Sequence, residues 1–260
     1  MPPVVDDLGH AVTITRPAKR VVSLVPSLTE AVAATVPEAL VGATDWCTHP
    51  ADLDVARIRG TKNPDTRAIA ALSPDLVIAN KEENRELDVR RLREAGLAVW
   101  VTDIETLDDA FTSLERLFDT ALGWPLPDWL EQAREVWAAP PPPEEPRVAV
   151  AIWRDPWMWV GPTTFTGDLL SRAGIRNVLG DRDRSQGRYP TLTIDEVESL
   201  RPDAVLLPDE PYVFTPDDGP EAFTRTPTDL VYGRLLTWYG PSLVPARAHL
   251  DEVRERTRRR

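Results

Sequence analysis

Six acids, Asp45, Glu82, Glu83, Asp155, Asp209 and Glu210, stand just after short apolar runs. A carboxylate so placed can move a proton, share a cation or accept hydrogen bonds from a ligand's amides. Glu83 opens a charged helical pattern, where an acid complements the helix dipole, so Glu82 and Glu210 are the stronger candidates. Of His10, His49 and His249, only His49 falls near them. Cys47 is the single cysteine, which excludes an internal disulfide and any multi-thiolate metal site within one chain. Direct protein ligation of a metal is left open. The sequence has no H-E-x-x-H, no G-x-S-x-G, no Walker A motif and no G-x-G-x-x-G after a strand pattern, so the common hydrolase, kinase and dehydrogenase chemistries have no support.

The second group that could do chemistry is aromatic. Nine tryptophans occur in 260 residues, and Trp46, Trp153, Trp157, Trp159, Trp238, Tyr212 and Tyr239 all fall in loops that follow predicted strands. Flat apolar rings there can line a ligand cleft, although aromatic side chains fill cores as readily.

Both groups are placed by one recurring pattern. In TKNPDTRAIAALSPDLVIANKEEN, from Thr61 to Asn84, Ile69 and Leu72 carry the apolar side of a helix and Pro74 ends it. Leu76 to Ala79 reads as a strand covered on both faces. The polar residues Asn80, Lys81, Glu82, Glu83 and Asn84 then lie past its carboxyl end, where open α/β sheets bind ligands. An offset of 128 residues brings Val197 onto Ile69, Leu200 onto Leu72, Pro202 onto Pro74, Asp203 onto Asp75, Val205 onto Val77 and Glu210 onto Glu82. Arg147-Val148 likewise repeats Arg20-Val21. The fold class is therefore α/β with two similar parallel-sheet lobes.

Between the repeats, Leu107, Ala110, Phe111, Leu114, Leu117, Phe118, Ala121 and Leu122 mark one face of a long helix. The expected divisions are a first lobe over residues 1–105, a linking helix over 106–138 and a second lobe over 139–260. Ser27 with Glu30, and Thr193 with Glu196, have capping-box spacing. The charged helix from Glu83 to Ala95 should turn Leu87 and Leu92 inward. The terminal arginines 254, 256 and 258–260 read as a solvated end.

The segments RVVSLVPSLTE, LVGATDW, GTKNPD, LSPDLVIAN and RPDAVLLPDE, in that order and with a lone linking helix, resemble the substrate-binding proteins of cobalamin and iron-siderophore ABC importers. The likeness is closer still to the group called helical backbone metal receptors. This resemblance implies two Rossmann-like lobes joined by one long backbone helix, with a ligand clamped between them. It places the family's aromatic lining near Trp46, in the loop 153–159 and at Trp238. The sequence departs from the cobalamin-binding members at Thr61-Lys62-Asn63 and at Asn80. Importer-bound members present an acid from each lobe to the permease; an ungapped placement puts Arg67 at the first position and Asp195 or Glu196 at the second. Reversal of sign at Arg67 makes permease docking doubtful.

The expectation is thus a non-enzymatic protein that holds a metal chelate or tetrapyrrole, with cobalamin, haem or a ferric siderophore as the candidate bound molecule. Its ligand-binding residues would be Trp46, Lys62, Asn63, Asn80, Lys81, Glu82, Trp153, Trp157, Glu210, Tyr212, Trp238 and Tyr239. A cofactor-processing or chelatase-like enzyme using Glu82, Glu210 or His49 remains the alternative. A net charge of -12 argues against nucleic acid as a partner. No run reaches the roughly 18 apolar residues of a membrane span. MPPVVDDLGHAV lacks the pattern of a secretory leader and there is no lipid-anchor cysteine, so the expected location is the cytoplasm.

Overall fold

The apolar run Leu76–Asn80 forms the buried centre of the first sheet, with all five residues shielded from solvent. The computed structural model describes residues 3–143, 145–181 and 187–260. They pack as two compact units. One comprises Met1–Ile104, Asp108–Gln132 and Tyr239–Pro241; the other comprises Glu105–Leu107, Ala133–Trp238 and Ser242–Arg260.

The first unit opens with a small hairpin, β1 (Val4–Val5) and β2 (Ala11–Val12). Then follow β3 (Val21–Ser23), α1 (Pro26–Ala33), β4 (Leu40–Ala43), β5 (Ala56–Arg57), the hairpin β6 (Arg59–Gly60) and β7 (Asn63–Pro64), α2 (Thr66–Ala71), β8 (Leu76–Asn80), α3 (Glu86–Glu94) and β9 (Val99–Thr102). Its sheet is parallel throughout, in the order β5-β4-β3-β8-β9. Helix α4 (Leu107–Glu115) runs on through a wider turn, Arg116–Leu122, and stops at Gly123 in the left-handed region (φ 69°). It is the long helix between the sheets in chain order. Helix α5 (Asp128–Trp137) follows.

The second unit holds β10 (Arg147–Trp153), β11 (Met158–Trp159), α6 (Phe165–Arg172), β12 (Arg176–Asn177), α7 (Ile194–Glu198), β13 (Ala204–Pro208), β14 (Thr228–Val231), α8 (Arg234–Thr237) and α9 (Leu243–Arg258). Strands β12, β10, β13 and β14 pair in parallel, and β11 folds back antiparallel on β10. The chain is therefore α/β with two parallel-sheet lobes, as the repeat requires.

The repeat extends to the hydrogen bonding. In the first unit the Asp75 carboxylate accepts the N–H groups of Lys19 (2.8 Å) and Arg20 (3.0 Å), while the Arg20 guanidinium donates to the Leu72 carbonyl (2.6 Å). In the second, Asp203 accepts Arg147 N–H (2.8 Å) and Arg147 donates to the Leu200 carbonyl (2.7 Å). Ser73 (φ 46°) and Arg201 (φ 56°) take the same left-handed turn before Pro74 and Pro202. The Pro-Asp pair thus has a physical role: proline ends the helix and aspartate holds the start of the neighbouring strand.

Three local expectations change. Ser27 and Glu30 form no capping box, because Val25 is the N-cap without a side-chain bond and Pro26 starts the helix, where its missing N–H costs nothing. Thr193 and Glu196 do form theirs. On α3 the inward face is Val89 and Leu92, and Leu87 points to solvent. Three of the terminal arginines are not simply solvated: Arg254 donates to the Glu145 carbonyl, while Arg256, pairing with Asp229, and Arg260, donating to the Thr228 carbonyl, staple the end of α9 to the outer strand β14.

Candidate functional site

In the first unit the candidates gather at the carboxyl edge of the sheet. The turn after β8 is built by two asparagines. Asn80 is buried; its amide donates to Thr102 Oγ1 (3.1 Å), and its carbonyl oxygen accepts the N–H groups of Glu82 (2.8 Å) and Glu83 (3.2 Å). Asn84 Oδ1 accepts Asn80 N–H (2.8 Å), and its Nδ2 donates to the carbonyls of Thr61 (3.0 Å) and Leu24 (3.4 Å). One side chain therefore ties β3, β8 and the β6–β7 hairpin together, a role that residue type alone does not reveal.

Lys62 Nζ donates to the Glu82 carbonyl (2.5 Å), and Lys81 pairs with Asp103 (2.7 Å). Gly60 and Asn63 are register partners in the hairpin. A Cβ on Gly60 would sit 2.6 Å from Asn63 Oδ1 and 3.2 Å from Trp46 Nε1, so both side chains lie directly on the glycine backbone. Trp46 is 64% exposed. Its neighbour Cys47 is buried, with the thiol against the hydroxyls of Thr29 (3.0 Å) and Thr44 (3.1 Å). Burial pushes that thiol's pKa up, which disfavours the reactive thiolate, and its contacts hold the turn in place. Arg57 donates to the carbonyls of Thr44 (3.0 Å) and Cys47 (2.8 Å). The indole of Trp46 is thus displayed from a fixed turn.

Tyr239, distant in sequence, packs with this unit, and its hydroxyl donates to Glu83 Oε1 (3.1 Å). Burial first, and then the Glu83 charge, push its phenol well above the ordinary value.

In the second unit the candidates again follow β10 and β13. Trp153 is 43% exposed and stands at an irregularity in the β10–β11 pairing. It meets Tyr212 edge-on (5.5 Å), Tyr212 meets Phe214 (4.6 Å), and Phe214 stacks on Trp157 (5.7 Å, 8° between planes). Trp157 in turn stacks on the buried Trp159 (5.9 Å). Trp153, Trp157 and Tyr212 are therefore brought together in one aromatic wall. Glu210 packs against Gly233, where an added Cβ would lie 2.5 Å from its Cγ, and Asp209 accepts Gly233 N–H (2.7 Å). Trp238, just after α8, is buried in this unit. Among the described residues no group of three or more His, Cys, Asp or Glu side chains is placed to hold a metal ion.

No protein-family model matches the sequence. An uncharacterized ABC transporter substrate-binding lipoprotein, YvrC of Bacillus subtilis, is 26% identical over 226 residues, spanning 80% of this chain and 69% of that protein. The vitamin B12-binding protein of Vibrio parahaemolyticus is 24% identical over 197 residues, 73% of this chain and 70% of the relative. The homologues of this chain are ABC-transporter substrate-binding proteins. Among solved structures, a periplasmic heme-binding protein of Pseudomonas aeruginosa superposes with a TM-score of 0.73 at 23% identity, covering 91% of this chain and 92% of that one.

Such substrate-binding proteins are not enzymes, which removes the chelatase-like alternative. Two expectations are corrected. The expected cytoplasmic location is overturned by the relatives, one of which is a substrate-binding lipoprotein. It rested on the first dozen residues, which carry no information about a preceding leader. The doubt about permease docking also runs against relatives that serve ABC transporters. Arg67 lies in the first turn of α2 two residues after the N-cap Asp65, which accepts the N–H groups of Arg67 and Ala68, so an acid does stand at the start of that helix. No helix among the described residues is long and apolar enough to cross a membrane.

Proposed function

We propose that this chain is an extracytoplasmic binding protein for a flat metal chelate of the cobalamin, haem or ferric-siderophore kind, which it delivers to an ABC importer. The observation that carries the reading is the pair of exposed indoles, Trp46 at 64% and Trp153 at 43%, each held at the carboxyl edge of a parallel sheet. An exposed tryptophan on a fixed support loses water from its ring when a flat apolar face covers it and has little conformational freedom to lose. Covering one face of such a ring would contribute roughly 1–2 kcal/mol at about 25 cal/mol per Å². Lys62, Asn63, Lys81 and Glu82 on the first unit and Glu210 on the second are the polar groups offered to a ligand; Asn80 holds the turn that carries Glu82, and Tyr212 and Trp157 belong to the wall that carries Trp153.

The test is a tryptophan-fluorescence titration with cyanocobalamin, hemin and ferrichrome on the wild type, Trp46→Ala and Trp153→Ala. At least one of the three should bind the wild type, and each substitution should weaken it about tenfold or more. A ligand that binds all three proteins equally well removes both indoles from the site.

A further inference from the structure

The aromatic wall of the second unit is closed by a charged clasp. The Arg154 guanidinium lies over the Trp157 ring (5.6 Å). Its Nη1 pairs with Asp218 Oδ1 and with Glu221 Oε1 (2.6 Å). The second oxygen of each acid is also engaged: Asp218 Oδ2 accepts the Tyr212 hydroxyl (2.7 Å), and Glu221 Oε2 accepts Gly219 N–H (2.6 Å). Gly219 sits at φ 125°, and an added Cβ would meet Phe214 Cδ1 at 2.7 Å, so the turn that carries Asp218 lies tight against the wall. The circuit runs from Arg154 through Asp218 to Tyr212, from Tyr212 to Trp153, and back along the chain to Arg154. It joins the β10–β11 loop to the long connection before β14.

We infer that Arg154 is a positioning residue for ligand binding: held by Asp218 and Glu221, it fixes the orientation of Trp153 and Trp157 before any ligand arrives. The inference rests on the binding role proposed above for Trp153. A cation stacked on an indole lowers the freedom of that ring, and a preset platform binds more tightly than one that must be ordered during binding. With Asp155 (3.8 Å) as a third, weaker partner, carboxylates outnumber the guanidinium, so this cluster is net negative and unsuited to an anionic ligand. The ion pairs are half exposed, with side-chain exposures of 24% for Arg154, 41% for Asp218 and 48% for Glu221. Each therefore adds little to global stability, and Arg154→Gln should fold.

The experiment compares the wild type, Arg154→Gln, the double variant Asp218→Asn/Glu221→Gln and Trp153→Ala. Near-ultraviolet circular dichroism of the unliganded proteins reports the order of the rings, far-ultraviolet spectra report the fold, and titrations with cyanocobalamin, hemin and ferrichrome report affinity. Both clasp variants should lose near-ultraviolet intensity with unchanged far-ultraviolet spectra, and should bind about fivefold more weakly. An unchanged near-ultraviolet spectrum in Arg154→Gln overturns the proposal whatever the ligand. So does a changed spectrum with wild-type affinity in a protein whose Trp153→Ala variant is weakened. If Trp153→Ala binds normally while the clasp variants lose their ring signal, the binding role of Trp153 fails, and with it the functional part of the inference, while Arg154 keeps its part in ordering the wall.

Discussion

Asn84 gives the clearest case of one residue setting the shape of a site. Its amide satisfies three backbone groups, from Leu24, Thr61 and Asn80, that end three separate elements. Asn84→Ala leaves an N–H and two carbonyls without that partner in a buried turn, so the first unit should lose about 2–3 kcal/mol, read by urea unfolding. A loss under about 0.5 kcal/mol means that water replaces the amide and the turn is not held as described. Nothing in the sequence singles Asn84 out, because its three partners lie far apart along the chain and are backbone groups that every residue carries. The exposure of Trp46 and Trp153 is legible for the opposite reason: a large apolar ring at or just past the end of a strand run stands on the open edge of the sheet. Trp238 and Tyr239 carry the same signature but are buried, which sequence position does not distinguish.

At the scale of elements, the repeated staple makes a paired prediction. Asp75→Ala removes two N–H partners in the first unit, and Asp203→Ala removes the matching bond in the second. Each should cost about 1–2 kcal/mol. Hydrogen exchange should show the loss confined to β3 and β8 in one variant and to β10 and β13 in the other. A loss spread evenly over both sheets would show that the staples do not act locally. The repeat is readable because helix end, Pro-Asp and buried strand keep constant spacing, and the structure returns that spacing as matched register, Val21 beside Leu76 and Val148 beside Ala204. Strand β14 is not readable: Thr228–Val231 is four residues long, contains Asp229, and is defined by its pairing with β13 and by Arg256 and Arg260 over it. The start of α1 is deceptive for a related reason. Ser27 and Glu30 have capping-box spacing, but Pro26 fixes the first turn one residue earlier and leaves both side chains buried.

At the scale of the whole molecule, charge bears on which chelate is favoured. The net charge is -12, and many of the cations are spent on the chain's own acids, as in the pairs Arg93–Asp6, Arg154–Glu221 and Arg225–Glu198. The field outside the protein is therefore negative. Hemin carries two propionates at neutral pH and is repelled by that field, whereas cyanocobalamin, with neutral amide arms, is not. Salt separates the two cases, because the screening length falls from about 30 Å at 0.01 M to about 10 Å at 0.1 M. Raising the salt concentration across that range should strengthen hemin binding about threefold or more and leave cyanocobalamin within about twofold, as read by the same fluorescence titration. Hemin affinity that falls as salt rises would mean that a local cation such as Lys62 outweighs the net field and receives a propionate. Lys62→Ala would then remove the salt dependence, and the rim, rather than the overall charge, would set the preference among chelates.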